Sequence, residues 1–180
     1  MGHCGHFGTF GHDRGAGGHH GAMAEIVELL VAPAHRWDGR PDPALTTPDD
    51  TVTELVIRAG LGVVGDRYFN QPAHRDAAVT VVAAEVLAPW HAGLAQTRRN
   101  VLLRGVDVDA GIGRTLSLDS GGGPVLLRVN RAAHPCRWLD LAVAPGAWRG
   151  LRGRGGVRCS PLTDGTLRVG PVTAIWTDGE

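Results

Sequence analysis

Thr97-Arg98-Arg99-Asn100-Val101-Leu102-Leu103-Arg104-Gly105 sets a polar island directly before a short apolar run closed by glycine. The run reads as a strand of about four residues. Upstream, Val79-Thr80-Val81-Val82 is a second clear strand. Between them Ala84 to Leu94 reads as a short helix, with Glu85 in its first turn, where the helix dipole favours an acid. Pro89 falls inside that helix and is expected to shorten or bend it. Short strands joined by brief helical or glycine-rich connections are therefore the local grammar of this chain.

The same grammar holds outward in both directions. Towards the N-terminus, Glu25 to Val31 is β-compatible and ended by Pro33, residues 34–51 form an irregular loop, and Val52 to Ile57 alternates as a strand. The glycines of Gly60-Leu61-Gly62-Val63-Val64-Gly65 predict tight backbone turns. Towards the C-terminus, Arg114 to Leu118 and Val125 to Val129 are strands, and Trp138 to Val143 is a helix broken by Pro145-Gly146. Arg158 to Leu162, the turn Thr163-Asp164-Gly165-Thr166 and Leu167 to Val169 read as a β-hairpin on the Asp-Gly signal. Val172 to Trp176 closes the series. Many short strands, frequent turns and one or two short helices predict a mostly-β single domain, a closed or partly closed barrel. Residues 1–22 are Gly/His-rich and read as a disordered tail. Met23 stands where ordinary sequence begins, so the tail reads as an upstream extension, and residues 23–180 as the folded domain.

Composition narrows the function. The 180 residues carry 18 basic and 18 acidic side chains, and every basic one is arginine. A chain without basic excess is not expected to bind nucleic acid through its phosphates. No apolar stretch approaches the ~20 residues of a membrane span, and no secretory leader is apparent, so a cytoplasmic, non-membrane protein is expected. The three cysteines, Cys4, Cys136 and Cys159, are too few and too irregular for a disulfide framework. Cys4 beside His3 and His6 matches no zinc pattern.

Three islands concentrate polar side chains: Gly65-Asp66-Arg67, Arg98-Arg99-Asn100, and Arg131 to Arg137 joined by Arg152, Arg154 and Arg158. Arginine offers a planar donor fork and asparagine both donor and acceptor, so together they suit an anionic, heteroatom-rich small molecule. Cys136, following Pro135 and flanked by His134 and Arg137, adds a thiol. Cationic neighbours favour its thiolate, which is the nucleophile and soft metal ligand. Each island also has a purely structural reading, such as an Arg67 pair with Asp66 or Glu54. Cys159, within an alternating strand, reads as a small core residue. The chain contains no Gly-x-Ser-x-Gly nucleophile elbow and no His-x-x-x-His.

The order of these islands resembles the MOSC domain family, named after the C-terminal domain of molybdenum cofactor sulfurase, in its small stand-alone bacterial form. The elements that carry the resemblance are Gly65-Asp66-Arg67, residues 78–85, residues 98–107, Pro135-Cys136, residues 151–158 and residues 165–170. Their order spans roughly residues 24–176. The resemblance implies a MOSC-like β-barrel that binds molybdenum cofactor (molybdopterin) or handles sulfur. It places Cys136 as the catalytic residue and molybdenum ligand, with Arg67, Arg98, Asn100 and Arg154 at the pterin or its phosphate. Two activities follow from it: a small molybdenum-dependent oxidoreductase reducing N-hydroxylated or N-oxide compounds, or a non-catalytic carrier of persulfide sulfur or of the cofactor. Either would work with a small-molecule cofactor and substrate and with an external electron-transfer or sulfur-transfer protein. Two departures stand out. Ala133 occupies a position where many relatives have a second cysteine, which removes a nearby resolving thiol, and Tyr68 stands where histidine often follows Asp-Arg.

Overall fold

The computed structural model describes residues 22–35 and 48–178. The expected tail over residues 1–22, including Cys4, and most of the expected loop at 34–51 lie outside the described residues, apart from Ala22, which begins the first strand. Eleven strands and four one-turn helices follow in chain order. They are β1 (Ala22–Leu30), β2 (Thr51–Val52), β3 (Glu54–Arg58), β4 (Gly62–Val63), β5 (Val79–Ala83), α1 (Ala84–Leu87), α2 (Leu94–Thr97) and β6 (Val101–Arg104). Then come β7 (Thr115–Asp119), β8 (Val125–Ala132), α3 (Leu139–Ala142), α4 (Ala147–Gly150), β9 (Val157–Pro161), β10 (Gly165–Arg168) and β11 (Gly170–Thr177).

Seven strands close a barrel in the order β11-β7-β8-β9-β5-β6-β1, and β1 returns to β11 through the register Ala22↔Ala174 to Ile26↔Gly170. The mostly-β barrel expected from the sequence is what forms. Beyond the barrel wall, β2 adds to β1, and β10, β3 and β4 form a second, three-stranded sheet.

All recorded strand pairs are antiparallel except β5–β6, which pair in parallel from Val81↔Val101 to Ala83↔Leu103. Parallel neighbours need a crossover of a dozen or so residues. Residues 84–100 supply it, and Pro89 decides its form. The single helix expected over Ala84 to Leu94 is instead α1, a 3₁₀ turn at Ala88–Trp90, a left-handed residue at His91 (φ 49°) and α2. Proline is tolerated in the first turn of a helical segment but not in its interior, so the segment restarts around it.

The hydrophobic pattern explains why β5 sits centrally. Val79, Val81 and Ala83 point into the barrel with Leu29, Leu103, Leu127 and Val157. Val82 joins a second apolar layer of Leu30, Leu87, Leu94, Leu102, Leu139 and Leu151, beneath the helices. A strand buried on both faces reads as a continuous apolar run, as this one does. By contrast, β8 alternates, with Val125, Leu127 and Val129 buried and the residues between them half-exposed.

The expected Arg158–Val169 hairpin does not form. Strand β9 pairs with β8 and β5, and β10 crosses to β3 in the second sheet. Asp164 makes the bridge: it accepts a hydrogen bond from the Ala59 amide at 2.8 Å and pairs with Arg58 at 3.2 Å, at the end of β3. Gly165 is required for a reason other than turn geometry, since a Cβ there would lie 2.6 Å from Val125 Cγ2.

Candidate functional site

The three polar islands meet at one end of the barrel. Their floor is built by Asp66, Thr80 and Asn100, all at most 7% exposed. Thr80 lies in β5, and Asn100 immediately precedes β6. Asn100 Oδ1 accepts from the Thr80 amide at 3.0 Å and from Thr80 Oγ1 at 2.8 Å. Its Nδ2 donates to Asp66 Oδ2 at 3.0 Å and to the Leu30 carbonyl at 3.2 Å. Two donors and two lone pairs exhaust an amide side chain. Asn100 therefore has no capacity left for a ligand, and it fixes the floor on which a ligand would rest.

The Asp66 carboxylate is equally committed. It accepts from the amides of Ala32 at 3.1 Å and Tyr68 at 3.0 Å as well as from Asn100. Arg67 Nη1 approaches it at 3.5 Å. A buried carboxylate is tolerated only when so surrounded.

Above the floor lies a cavity of about 210 Å³ whose wall carries four arginines: Arg67, Arg98, Arg99 and Arg158. Cys136, His134, His35, Tyr68, Thr80 and Leu139 complete it. Arg98 adopts a left-handed conformation (φ 57°) where α2 ends, and its guanidinium turns inward to Asp50 at 2.7 Å. Arg99 is held by three carbonyls: Nε donates to Gly155 O at 3.1 Å, Nη2 to Ala133 O at 3.1 Å and Nη1 to Thr97 O at 3.4 Å. Among the described residues no carboxylate pairs with it. Burial, aided by the positive charges of Arg158 and Arg67, pushes Arg99 down to about 10.

Arg158 belongs to β9 between inward-facing Val157 and Cys159, and its register partners are Thr80 on one side and Arg131 on the other. Burial also lowers Arg158, with Arg131 and Arg67 adding to that effect and Tyr68 opposing it. Like charges directly opposed across strands are destabilising, so an anion in the cavity would relieve several repulsions at once.

Two loops bring Cys136 to this wall. The chain leaves β8 through Ala133 and His134, and Arg99 ties that loop to Gly155. Gly156, with φ 86°, passes so close to β5 that a Cβ would lie 2.3 Å from the Val81 carbonyl. Cys136 itself is exposed. Tyr68 is braced by His74 at 4.4 Å and His35 at 5.1 Å between ring centroids, with the Arg67 guanidinium 4.5 Å from its ring.

Of the residues singled out from sequence, Arg67, Arg98 and Cys136 come together in the cavity wall, and Asn100 lies beneath it. Arg154 lies elsewhere. It is exposed and lines a different cavity of about 400 Å³ with Glu85, Asp107 and Asp109. Arg99 and Arg158 belong to the polar islands but the resemblance gives them no role, and Thr80 belongs to no island, yet all three line the cavity. Strand alternation around inward-facing Cys159 was the signal available for Arg158. Among the described residues, no three His, Cys, Asp or Glu side chains converge as a metal site.

No protein-family model and no curated protein sequence matches the chain. Solved structures do. The YuaD protein from Bacillus subtilis superposes with a TM-score of 0.62 at 14% identity, over 88% of this chain and 98% of that one. YiiM from Geobacillus stearothermophilus gives 0.59 at 17% identity, over 86% and 75%. YiiM from Escherichia coli gives 0.55 at 15% identity, over 87% and 72%. The chain shares the fold of these YuaD and YiiM structures. At these identities the likeness shows the fold alone. Within this fold the arginine-lined cavity occupies the end of the barrel where β5, β6 and β9 meet the loops from α2 and β8.

Proposed function

We propose that the cavity binds molybdenum cofactor, with the Cys136 sulfur as the protein's ligand to molybdenum. In this reading the chain reduces N-hydroxylated or N-oxide compounds. The observation that carries it is one exposed thiol sharing a small cavity wall with four guanidiniums. The donor set fits the group. Arginine forks match the phosphate, thiolate suits a soft metal site, and a single protein ligand is what a metal held chiefly by its own cofactor requires.

When bound, the cofactor would supply two-electron chemistry at its metal. The chain's residues would do the rest. Arg67 and Arg158 orient the anionic end, and Arg99 holds the Cys136 loop against the Gly155 loop. Asn100 and Asp66 act as positioning residues beneath Thr80. Removing oxygen from an N-hydroxyl compound as water consumes two electrons and two protons. His35, His134 and Tyr68 are cavity residues whose side chains can relay protons, and the electrons come from an external carrier protein. Arg154 stands apart from these roles by its place in the other cavity.

A carrier reading, with a persulfide on Cys136, is supported by the exposure of that thiol, which leaves its sulfur within reach of a partner. One preparation separates the two. Protein from a cofactor-competent host should contain molybdenum and pterin in near-equal amounts, and Cys136→Ser should lose the metal. Metal retained at full stoichiometry by Cys136→Ser overturns the ligand role. An additional sulfur atom on Cys136 without pterin, seen by native mass spectrometry, replaces the enzyme reading with the carrier.

A further inference from the structure

The segment that carries Cys136 differs in charge from the rest of the chain. Residues 131–158 hold six of the 18 arginines and, in Asp140, one of the 18 acids. That acid faces its own helices, because Asp140 Oδ1 accepts the Trp148 amide at 2.8 Å and so ties α3 to α4. Elsewhere three exposed arginines hold carboxylates, Arg58 with Asp164, Arg104 with Glu25 and Arg168 with Glu54, and among the described residues Arg75 is the exception. Arg131, Arg137 and Arg152 are exposed, and among the described residues none of them has an ion pair.

Two of these rim arginines are nevertheless ordered. The Arg137 guanidinium lies 5.1 Å from the Trp148 ring centroid and that of Arg152 lies 4.6 Å from it. Stacking fixes the plane of a guanidinium and leaves its donor edge free for a carboxylate. Arg137 directly follows Cys136. One helical turn further, on α3, Leu141 is an exposed large apolar side chain at 47%. Tryptophan and arginine are enriched at protein-binding surfaces, and Leu141 adds exposed apolar area beside them. Nucleic acid or membrane binding would draw instead on a broad basic excess, which a chain of zero net charge lacks.

We infer that Arg137, Trp148, Arg152 and Leu141, with Arg131, form the docking surface for a protein with a carboxylate-rich face that delivers to the Cys136 cavity. The inference rests on Cys136 being the working end of the site. Docking here would set the partner at the cavity mouth, and its carboxylates would complete the ion pairs that the rim arginines do not make within the chain.

The test is an NMR titration of the full chain with a polyglutamate peptide, following the Trp148 indole and the arginine Nε resonances. The expected result is shifts at Trp148, Arg137 and Arg152 but not at Arg104 or Arg168. Affinity should fall about tenfold between low salt and physiological ionic strength. Arg137→Glu/Arg152→Glu should abolish binding, and the milder Arg137→Gln/Arg152→Gln should weaken it by about tenfold while leaving the spectrum folded. Absence of shifts at the rim, shifts spread over all arginines, or tighter binding of an oligothymidylate or of anionic phospholipid vesicles at the same patch would overturn the proposal. The two readings fail separately. Cys136→Ser should still bind the peptide, and the Arg137/Arg152 variants should retain the parent's molybdenum and pterin content. A chain that binds peptide but no cofactor removes the proposed reduction and leaves the docking surface standing.

Discussion

The two described cysteines of this chain lie 23 positions apart and live in opposite environments. Cys159 sits in β9 between Val79 of β5 and Val129 of β8, fully buried in the barrel, and burial pushes its thiol up to about 12. Cys136 is exposed at the end of the same barrel, in a wall shared with four arginines. The barrel uses one sulfur as a small apolar atom and presents the other to solvent and charge. The difference comes from strand alternation on one side and a loop held by Arg99 on the other, not from the residue type.

The sharpest way to break this comparison is chemical. A disulfide reagent added to the native protein should modify Cys136 at least ~100-fold faster than Cys159, followed by peptide mass mapping, because attack needs an accessible thiolate. Comparable rates in native buffer would mean that the barrel opens readily at β9. A second contrast lies beneath the cavity. Asn100→Ala should cost roughly 2–4 kcal/mol of stability in urea denaturation, since it strands Asp66 and Thr80 without partners in a buried network. A loss under about 0.5 kcal/mol would mean that water replaces the amide and the floor is wet. The smallest effect separates the cysteines again. Cys159→Ser should cost about 1–3 kcal/mol by burying an unmatched hydroxyl, whereas Cys136→Ser should leave the urea midpoint where it was. The reverse order would exchange the roles given to the two sulfurs.

Much of this contrast was legible in the sequence, where strand periodicity alone assigned Cys159 to the core. The barrel, the strands at Val79 to Val82 and Val101 to Arg104, and the closing strand at Val172 to Trp176 all follow from short apolar runs between turns. Pairing did not. Asp164-Gly165 carries the usual hairpin signal, but a local signal cannot weigh the cross-chain bonds from Asp164 to Ala59 or the close contact at Val125. The site was legible as islands, but not in how adjacent residues divide between floor, wall and loop. Asn100 and Arg99 belong to one tripeptide with Arg98, yet the amide turns under the cavity and the second arginine carries the loop that positions Cys136. Which way each of the three adjacent polar residues points depends on the left-handed turn at Arg98, and tertiary packing sets that turn. Arg154 directly precedes Gly155, whose carbonyl Arg99 grips, yet it lines a different cavity.

The pairing of β1 with β11 has a consequence for assembly. It joins Ala22 to Ala174, so the barrel cannot close until nearly the whole described chain is available, and contacts of such sequence separation slow folding. The parallel β5–β6 pair, with Thr80 and Asn100 bonded beside it, involves neighbours in the chain. The Thr80–Asn100 part of the cavity floor can thus be laid down early, while β1 and β7 wait as bare edges for β11 to cover them. A nascent chain arrested before β11 would expose both edges to other chains, which makes the final strand the step at which this protein either becomes a barrel or begins to aggregate.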